Sequence, residues 1–302
     1  MKCFRFALPA LLFVVTAAAA DKERATLIRE ATLYSSPAET SDHLAQVERG
    51  AEITVLERSG TESGRPWVKA QVKITRPEGP REFTGWLVAG PVIATSTANA
   101  DQIIYGEAVN SEREAETRGG RRGAAEEAFR LYQRVADFFP NSPLAGEAAW
   151  HQADIRWQLD SAKNKTKAPL DEQLLQAVIK KFPGSKWADL AAYDLLDNKL
   201  CAEWRGLADC PLKESALYEQ YAREHPRSPK AAEAMYNAAM RQAMVADIFR
   251  INGQKAANTA AHNRALALAQ ELSNQAPPEW KTRATMLVYK LQQNIVLYGV
   301  SQ

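Results

Sequence analysis

Most of the residue patterns that announce an enzyme are missing from this chain. It has three cysteines and four histidines in 302 residues. None of the histidines falls in H-E-x-x-H, and there is no G-x-S-x-G elbow and no phosphate-binding P-loop. The familiar routes to zinc hydrolysis, serine acyl transfer and nucleotide hydrolysis are therefore absent, and no catalytic residue, metal site or cofactor is expected. Long hydrophobic runs are missing as well: beyond residue 20 every apolar stretch is broken by charge within a few positions, which excludes stable membrane insertion. Excess charge of one sign is also lacking. Lys and Arg number 38 against 36 Asp and Glu, and removing Lys2 and Arg5 from the count leaves 36 against 36. The longest basic run, "RGGRRG" at Arg118, reads as a flexible, solvated turn. Nucleic acid is not the expected partner, because its binding requires several phosphates to be neutralised together.

What is present begins with an export signal. Residues 1–20, "MKCFRFALPALLFVVTAAAA", place Lys2 and Arg5 before an apolar run that ends in small residues fitting an A-x-A cleavage site. The apolar run over residues 6–20 falls short of the roughly 17 to 25 residues a bilayer span needs. Asp21 stands where a lipid-bearing cysteine would have to be, and Cys3 lies too early to serve. The mature chain is thus expected to be soluble and periplasmic or secreted. Its two remaining cysteines, Cys201 and Cys210 in "CAEWRGLADC", are expected to pair in an oxidising compartment.

Residues 21–97 have the grammar of short strands. "ATLIREATLYSSP" alternates and then turns, "AEITVLERSG" is a β-branched run closed by Ser59 and Gly60, and "RPWVKAQVKI" and "FTGWLVAGPVI" flank the turn-forming "TRPEGP". Such spacing predicts a small β-barrel or sandwich. On "LIREATLYSSP", "QVERGAEITVL", "WVKAQV" and "GWL" at Gly85, this segment resembles the bacterial SH3 domain family. The long connection "KITRPEGPREFTGW" departs from the tighter hairpin of that family. The resemblance implies an SH3-like barrel in which Tyr34, Trp67 and Trp86 line a peptide or glycopeptide groove. The residues alone leave a second reading open for Trp67 and Trp86, which lie within strand-like runs and could fill the core. Tyr34, beside the Ser-Ser-Pro turn, is the stronger surface candidate.

From residue 98 the chain becomes alanine-rich and helical in period. Residues 98–123 carry a first helix, with Ile103, Ile104, Ala108 and Glu112 on an uneven face, and then the basic turn. Residues 124–302 repeat. "FPNSPLAGEAAW", "FPGSKWADLAAY" and "HPRSPKAAEAMY" place Pro140, Pro183 and Pro226 at intervals of 43 residues. The same interval relates Ser142, Ser185 and Ser228; Ala145, Ala188 and Ala231; Ala148, Ala191 and Ala234; Trp150, Tyr193 and Tyr236; and Leu131, Leu174 and Leu217. Each column has a physical reason. Proline ends the helix before it, serine caps the next one, and Pro143 or Pro229 suits its first position. The alanines let a neighbouring helix approach, and the aromatic fills the space beside them. A weaker fourth copy is expected around Pro277.

The phrase "Y-x-x-V-x-x-x-F-P-x-S-x-x-A-x-x-A", matched from Tyr132 to Ala148, resembles the tetratricopeptide-like repeats of bacterial envelope proteins. Among these are the coordinator of the Tol-Pal system and the helical lipoprotein of the outer-membrane assembly machinery. The chain lacks the lipid-bearing cysteine of the second and the coiled coil of the first. The expected architecture is therefore a multidomain β + α protein, an SH3-like β-barrel followed by an α-helical TPR-like solenoid. The resemblances imply a non-enzymatic binder of envelope proteins or peptides, with peptidoglycan among the candidates. A purely protein-binding scaffold is the competing reading, and an accessory to, or enzyme of, peptidoglycan hydrolysis a third. On the helical part Trp157, Trp187 and Trp204 are candidate contact residues, each equally readable as packing. His225 occupies the column of Phe139 and Phe182 and reads as a turn residue.

Overall fold

The computed structural model describes residues 22–59, 64–165 and 169–299. The segment read above as an export signal lies outside them, as do Gly60 and part of the "DSAKNKTKAP" connection. The chain divides after Thr97 into two compact units, a β unit and an α unit.

The β unit is a curled antiparallel sheet of seven strands, a half-barrel. The strands are β1 (Glu23–Leu27), β2 (Ala31–Tyr34), β3 (His43–Val47), β4 (Glu52–Ser59), β5 (Trp67–Arg76), β6 (Gly79–Val88) and β7 (Val92–Ala94). Their order across the sheet is β3-β2-β6-β5-β4-β1-β7. Alternation sorts each strand into two faces. On β5, Val68, Ala70 and Val72 point into the apolar core with Leu27, Leu33, Val47, Ile53 and Leu87. Trp67, Lys69 and Gln71 therefore occupy the opposite face. The long "KITRPEGPREFTGW" segment is paired strand rather than loop: Lys73 faces Glu82 and Arg76 faces Gly79, with only Pro77 and Glu78 between the strands.

Gly85 in "GWL" marks the point where β2 crosses β6. A Cβ there would lie 2.5 Å from the Tyr34 carbonyl oxygen and 2.9 Å from the Leu33 side chain. Only glycine allows β2 to approach closely enough to pair Tyr34 with Trp86.

The α unit holds, among the described residues, nine helices: α1 (Ala100–Glu116), α2 (Ala124–Phe138), α3 (Ala145–Lys163), α4 (Gln173–Lys181), α5 (Lys186–Asp194), α6 (Asp209–Glu224), α7 (Ala231–Ile251), α8 (Lys255–Gln275) and α9 (Pro278–Gln292). None of them is long and apolar enough to cross a membrane. Helices α6 and α7 pack antiparallel. Glu214 meets Arg241 near one end of the pair while Tyr221 meets Ser228 near the other.

The 43-residue register is written into the backbone. Phe139, Phe182 and His225 close α2, α4 and α6 at φ −127°, −125° and −121° with ψ 59°, 51° and 56°. In each copy the serine N–H then returns to the carbonyl of that residue, at 2.9, 3.2 and 2.9 Å. Proline forces this shape, because it bars the residue before it from the helical region.

The three serines start the next helix in different ways. Ser185 caps α5 directly, its Oγ accepting the Ala188 N–H at 3.2 Å. Ser142 and Ser228 instead accept the amides of Leu144 and Lys230, and α3 and α7 start three residues later. Pro143 and Pro229 thus sit in a tight i→i+3 turn ahead of the helix instead of at its first position. Lys186 supplies no such constraint, so helix begins at once.

Ala148, Ala191 and Ala234 are fully buried in all three copies. Two further columns share that burial, Tyr132/Leu175/Tyr218 and Val135/Val178/Tyr221. The Leu131 column is less uniform, with Leu131 buried and Leu174 and Leu217 only partly so. The fourth copy lacks the shared turn: Ala276 takes an extended ψ of 161° and α9 starts at Pro278, because two consecutive prolines hold the backbone extended.

Candidate ligand-binding faces

Tyr34, Trp67 and Trp86 come together on the face of the β sheet turned away from its apolar core. Tyr34 pairs with His43 across β2 and β3 and with Trp86 across β2 and β6, and Trp86 pairs with Lys69 across β5 and β6. Lys69 in turn faces Glu57 on β4. His43, Tyr34, Trp86, Lys69 and Glu57 therefore form one row running across five strands. The Tyr34 ring stands edge-on to His43 at 5.0 Å and to Trp67 at 5.5 Å. Trp67 is buried beside the row, while Tyr34 and Trp86 remain half-exposed. The Lys69 ammonium lies 5.8 Å from the centre of the Trp86 ring.

Two irregularities create this alignment. Leu33 faces Ala45 but Tyr34 faces His43, so Leu44 is an extra residue that folds inward to the core and leaves His43 outside. Leu56 is likewise skipped between Val55 and Glu57, which brings Glu57 opposite Lys69. Alternation in "WVKAQV" puts Trp67 and Lys69 on one side, but nothing in the sequence marks the register that sets His43 and Lys69 at either end of the aromatics.

The candidate tryptophans of the α unit have different surroundings. Trp157 is buried in a cluster with Leu175, Val178, Ala191 and Leu195. Trp187 stacks on Trp150 at 5.7 Å and carries the Lys186 ammonium 4.0 Å above its ring. Close approach at this point needs Gly146, where a Cβ would lie 2.9 Å from the Trp187 ring. Trp204 belongs to the loop closed by the Cys201–Cys210 disulfide, whose Cα atoms are 6.0 Å apart. Its indole N–H donates to Glu214 Oε1 at 3.1 Å, and the same oxygen accepts the Cys201 amide at 3.0 Å. Glu214 Oε2 binds Arg241 at 3.1 Å.

No protein-family model and no curated protein matches the chain. The functional reading accordingly rests on its own residues. Among the described residues no group of three or more His, Cys, Asp or Glu could hold a metal ion.

The aromatic column acts as a set of links between successive hairpins. The Trp150 indole donates to Asp194 at 3.1 Å, the Tyr193 hydroxyl to Glu233 at 3.0 Å, and the Tyr236 ring lies 5.6 Å from Trp280. His225 is a joint residue too: Nδ1 lies 2.7 Å from Asp189 Oδ1 and the ring stacks on Tyr221.

The carboxylates along these helices are electrostatically uneven. Burial raises Asp194 to about 6, helped by neighbouring Asp154 and Asp197 and opposed by the Trp150 hydrogen bond. Burial also pushes Asp154 up. Glu112 is pushed up by burial as well, yet hydrogen bonds from His151 and Tyr132 outweigh that and hold it below the usual range. Sequence periodicity singled out the aromatic column but gave no sign of these carboxylate partners, which lie 40 to 44 residues away.

Proposed function

We propose that the protein is an exported, non-enzymatic binding protein: an SH3-like β module that holds a cell-wall or peptide ligand, joined to TPR-like helical hairpins that dock proteins of the envelope. The observation that carries this reading is the gathering of Tyr34, Trp67 and Trp86 into one cluster on the sheet face that the apolar core leaves free. Half-exposed aromatics set side by side outside a core, with polar groups at either end, have the composition of a recognition surface. The export signal read at the N-terminus and the Cys201–Cys210 pair support placement in an oxidising compartment. The helical hairpins present faces and loops of the kind through which stacked repeats hold extended partners.

Retention of the purified protein on isolated sacculi tests the ligand half of the proposal. The unmodified chain is expected to sediment with sacculi, and Tyr34→Ala or Trp86→Ala to reduce that retention at least about ten-fold, as loss of an aromatic contact centre does. Failure of the unmodified chain to be retained would remove the cell-wall ligand and leave the protein-binding scaffold as the better reading.

A further inference from the structure

The row on the β sheet has a chemical polarity that specifies more than an aromatic surface. The aromatics Tyr34 and Trp86 are flanked at their two ends by His43 on β3 and Lys69 on β5, and Glu57 on β4 continues the row beyond Lys69. Three strand spacings of about 4.8 Å separate His43 from Lys69, roughly 14 Å in all, the reach of about four residues of extended peptide. A ligand following the row runs across the strands and so does not add a strand to the sheet edge.

Ring geometry selects between a sugar and a peptide. A pyranose needs an open, flat aromatic face, but the Lys69 ammonium sits over the Trp86 ring. Stacking is therefore obstructed at the Trp86 ring, the larger of the two half-exposed aromatics. Lys69 itself is half-buried, and among the described residues no carboxylate pairs with it; Glu57 stands opposite across the strands and is exposed. A partly desolvated ammonium held against an indole is a good donor site for an anion, since the aromatic neighbour satisfies its charge only in part.

We propose that Lys69 receives a carboxylate and that the ligand of this face is a short acidic peptide segment lying across β2, β6 and β5. The inference rests on the cell-wall reading above and narrows it to the peptide portion of the wall.

The test compares retention of the purified protein on untreated sacculi and on sacculi whose carboxylates have been converted to primary amides with carbodiimide and excess ammonia. The unmodified chain is expected to lose about ten-fold in affinity on amidation, the scale of one charge-assisted contact. Lys69→Gln is expected to bind untreated sacculi about ten-fold more weakly and to be indifferent to amidation, whereas Lys69→Arg retains both binding and sensitivity. Thermal unfolding of each variant separates a lost contact from a lost fold. Equal retention of the unmodified chain on both preparations would overturn the carboxylate inference while leaving the wall-binding function intact. A loss on amidation that Lys69→Gln still shares would remove Lys69 as the receiving group. No retention on either preparation would end both proposals together.

Discussion

Replacing Glu214 with alanine should cost the α unit about 3 to 5 kcal/mol. Glu214 is 2% exposed, yet it carries a charge and serves three donors: the Cys201 amide and the Trp204 indole on one oxygen, and Arg241 on the other. The two loop donors lie near the surface and recover water when their acceptor disappears, so each costs about 0.5 to 1.5 kcal/mol. Arg241 is the larger loss. Stripping a fully buried cation of its partner costs roughly 3 to 5 kcal/mol, and with 22% of its side chain still exposed a figure near 2 is appropriate. For a unit of this size the sum lowers the midpoint of thermal unfolding by about 10 °C. Urea unfolding followed by far-UV circular dichroism reads the same quantity, since the helices dominate that signal. Glu214→Gln keeps an acceptor for the two loop donors and should lose about half as much. Cys201→Ser, which opens a loop of about ten residues and by itself costs roughly 2.7 kcal/mol on the chain-entropy model, should add to Glu214→Ala less than fully. A loss below about 1 kcal/mol for Glu214→Ala would refute the view that this carboxylate fastens the disulfide loop to α7.

Gly85→Ala forces a Cβ to within 2.5 Å of the Tyr34 carbonyl, so β2 must move off β6; a loss of at least about 2 kcal/mol, with Tyr34 and Trp86 separated, should be visible as destabilisation and as altered near-UV dichroism of those rings. Asp194 binds its proton more tightly in the folded chain, about 6 against an ordinary 3.8, so the stability it contributes is complete below its ordinary value and is lost as the pH rises through about 6. Asp194→Asn, which can still accept the Trp150 hydrogen bond, should therefore raise stability by about 1 to 2 kcal/mol at about pH 7.5 and by nothing at about pH 3.5 in matched urea titrations; a gain independent of pH would contradict the assigned cause.

The sequence was most readable where the backbone makes an unusual demand. A chain that must stop a helix, turn and restart has few residues that do it, so Pro140, Pro183 and Pro226 and their serines stand out by identity alone. Positions that ask only for apolar bulk escape such matching. Tyr132, Leu175 and Tyr218 occupy one buried column, and Val135, Val178 and Tyr221 another, although their side chains have little else in common. The aromatic row on the sheet was half-readable. Tyr34, Trp67 and Trp86 could be selected as aromatics in strands, but their shared face and the addition of His43 and Lys69 depend on the extra residues Leu44 and Leu56, which reset the register. A one-residue slip exchanges the two faces of a strand, so no periodicity rule could have found that alignment.

The ribbon of β5 and β6 bears on how the molecule behaves in a crowded compartment. Beyond Val72 strand β5 has left β4, and β6 pairs with β2 only at Trp86, so among the described residues the outer part of the ribbon pairs with nothing but itself. Two bare strand edges are an invitation to another chain's backbone and the usual beginning of aggregation. The residues placed there decline it. Pro80 has no N–H to offer, and Lys73, Arg76, Arg81 and Glu82 surround it with charges that a second strand would have to desolvate. Edges of this length can stay unpaired without becoming a seed for association between copies.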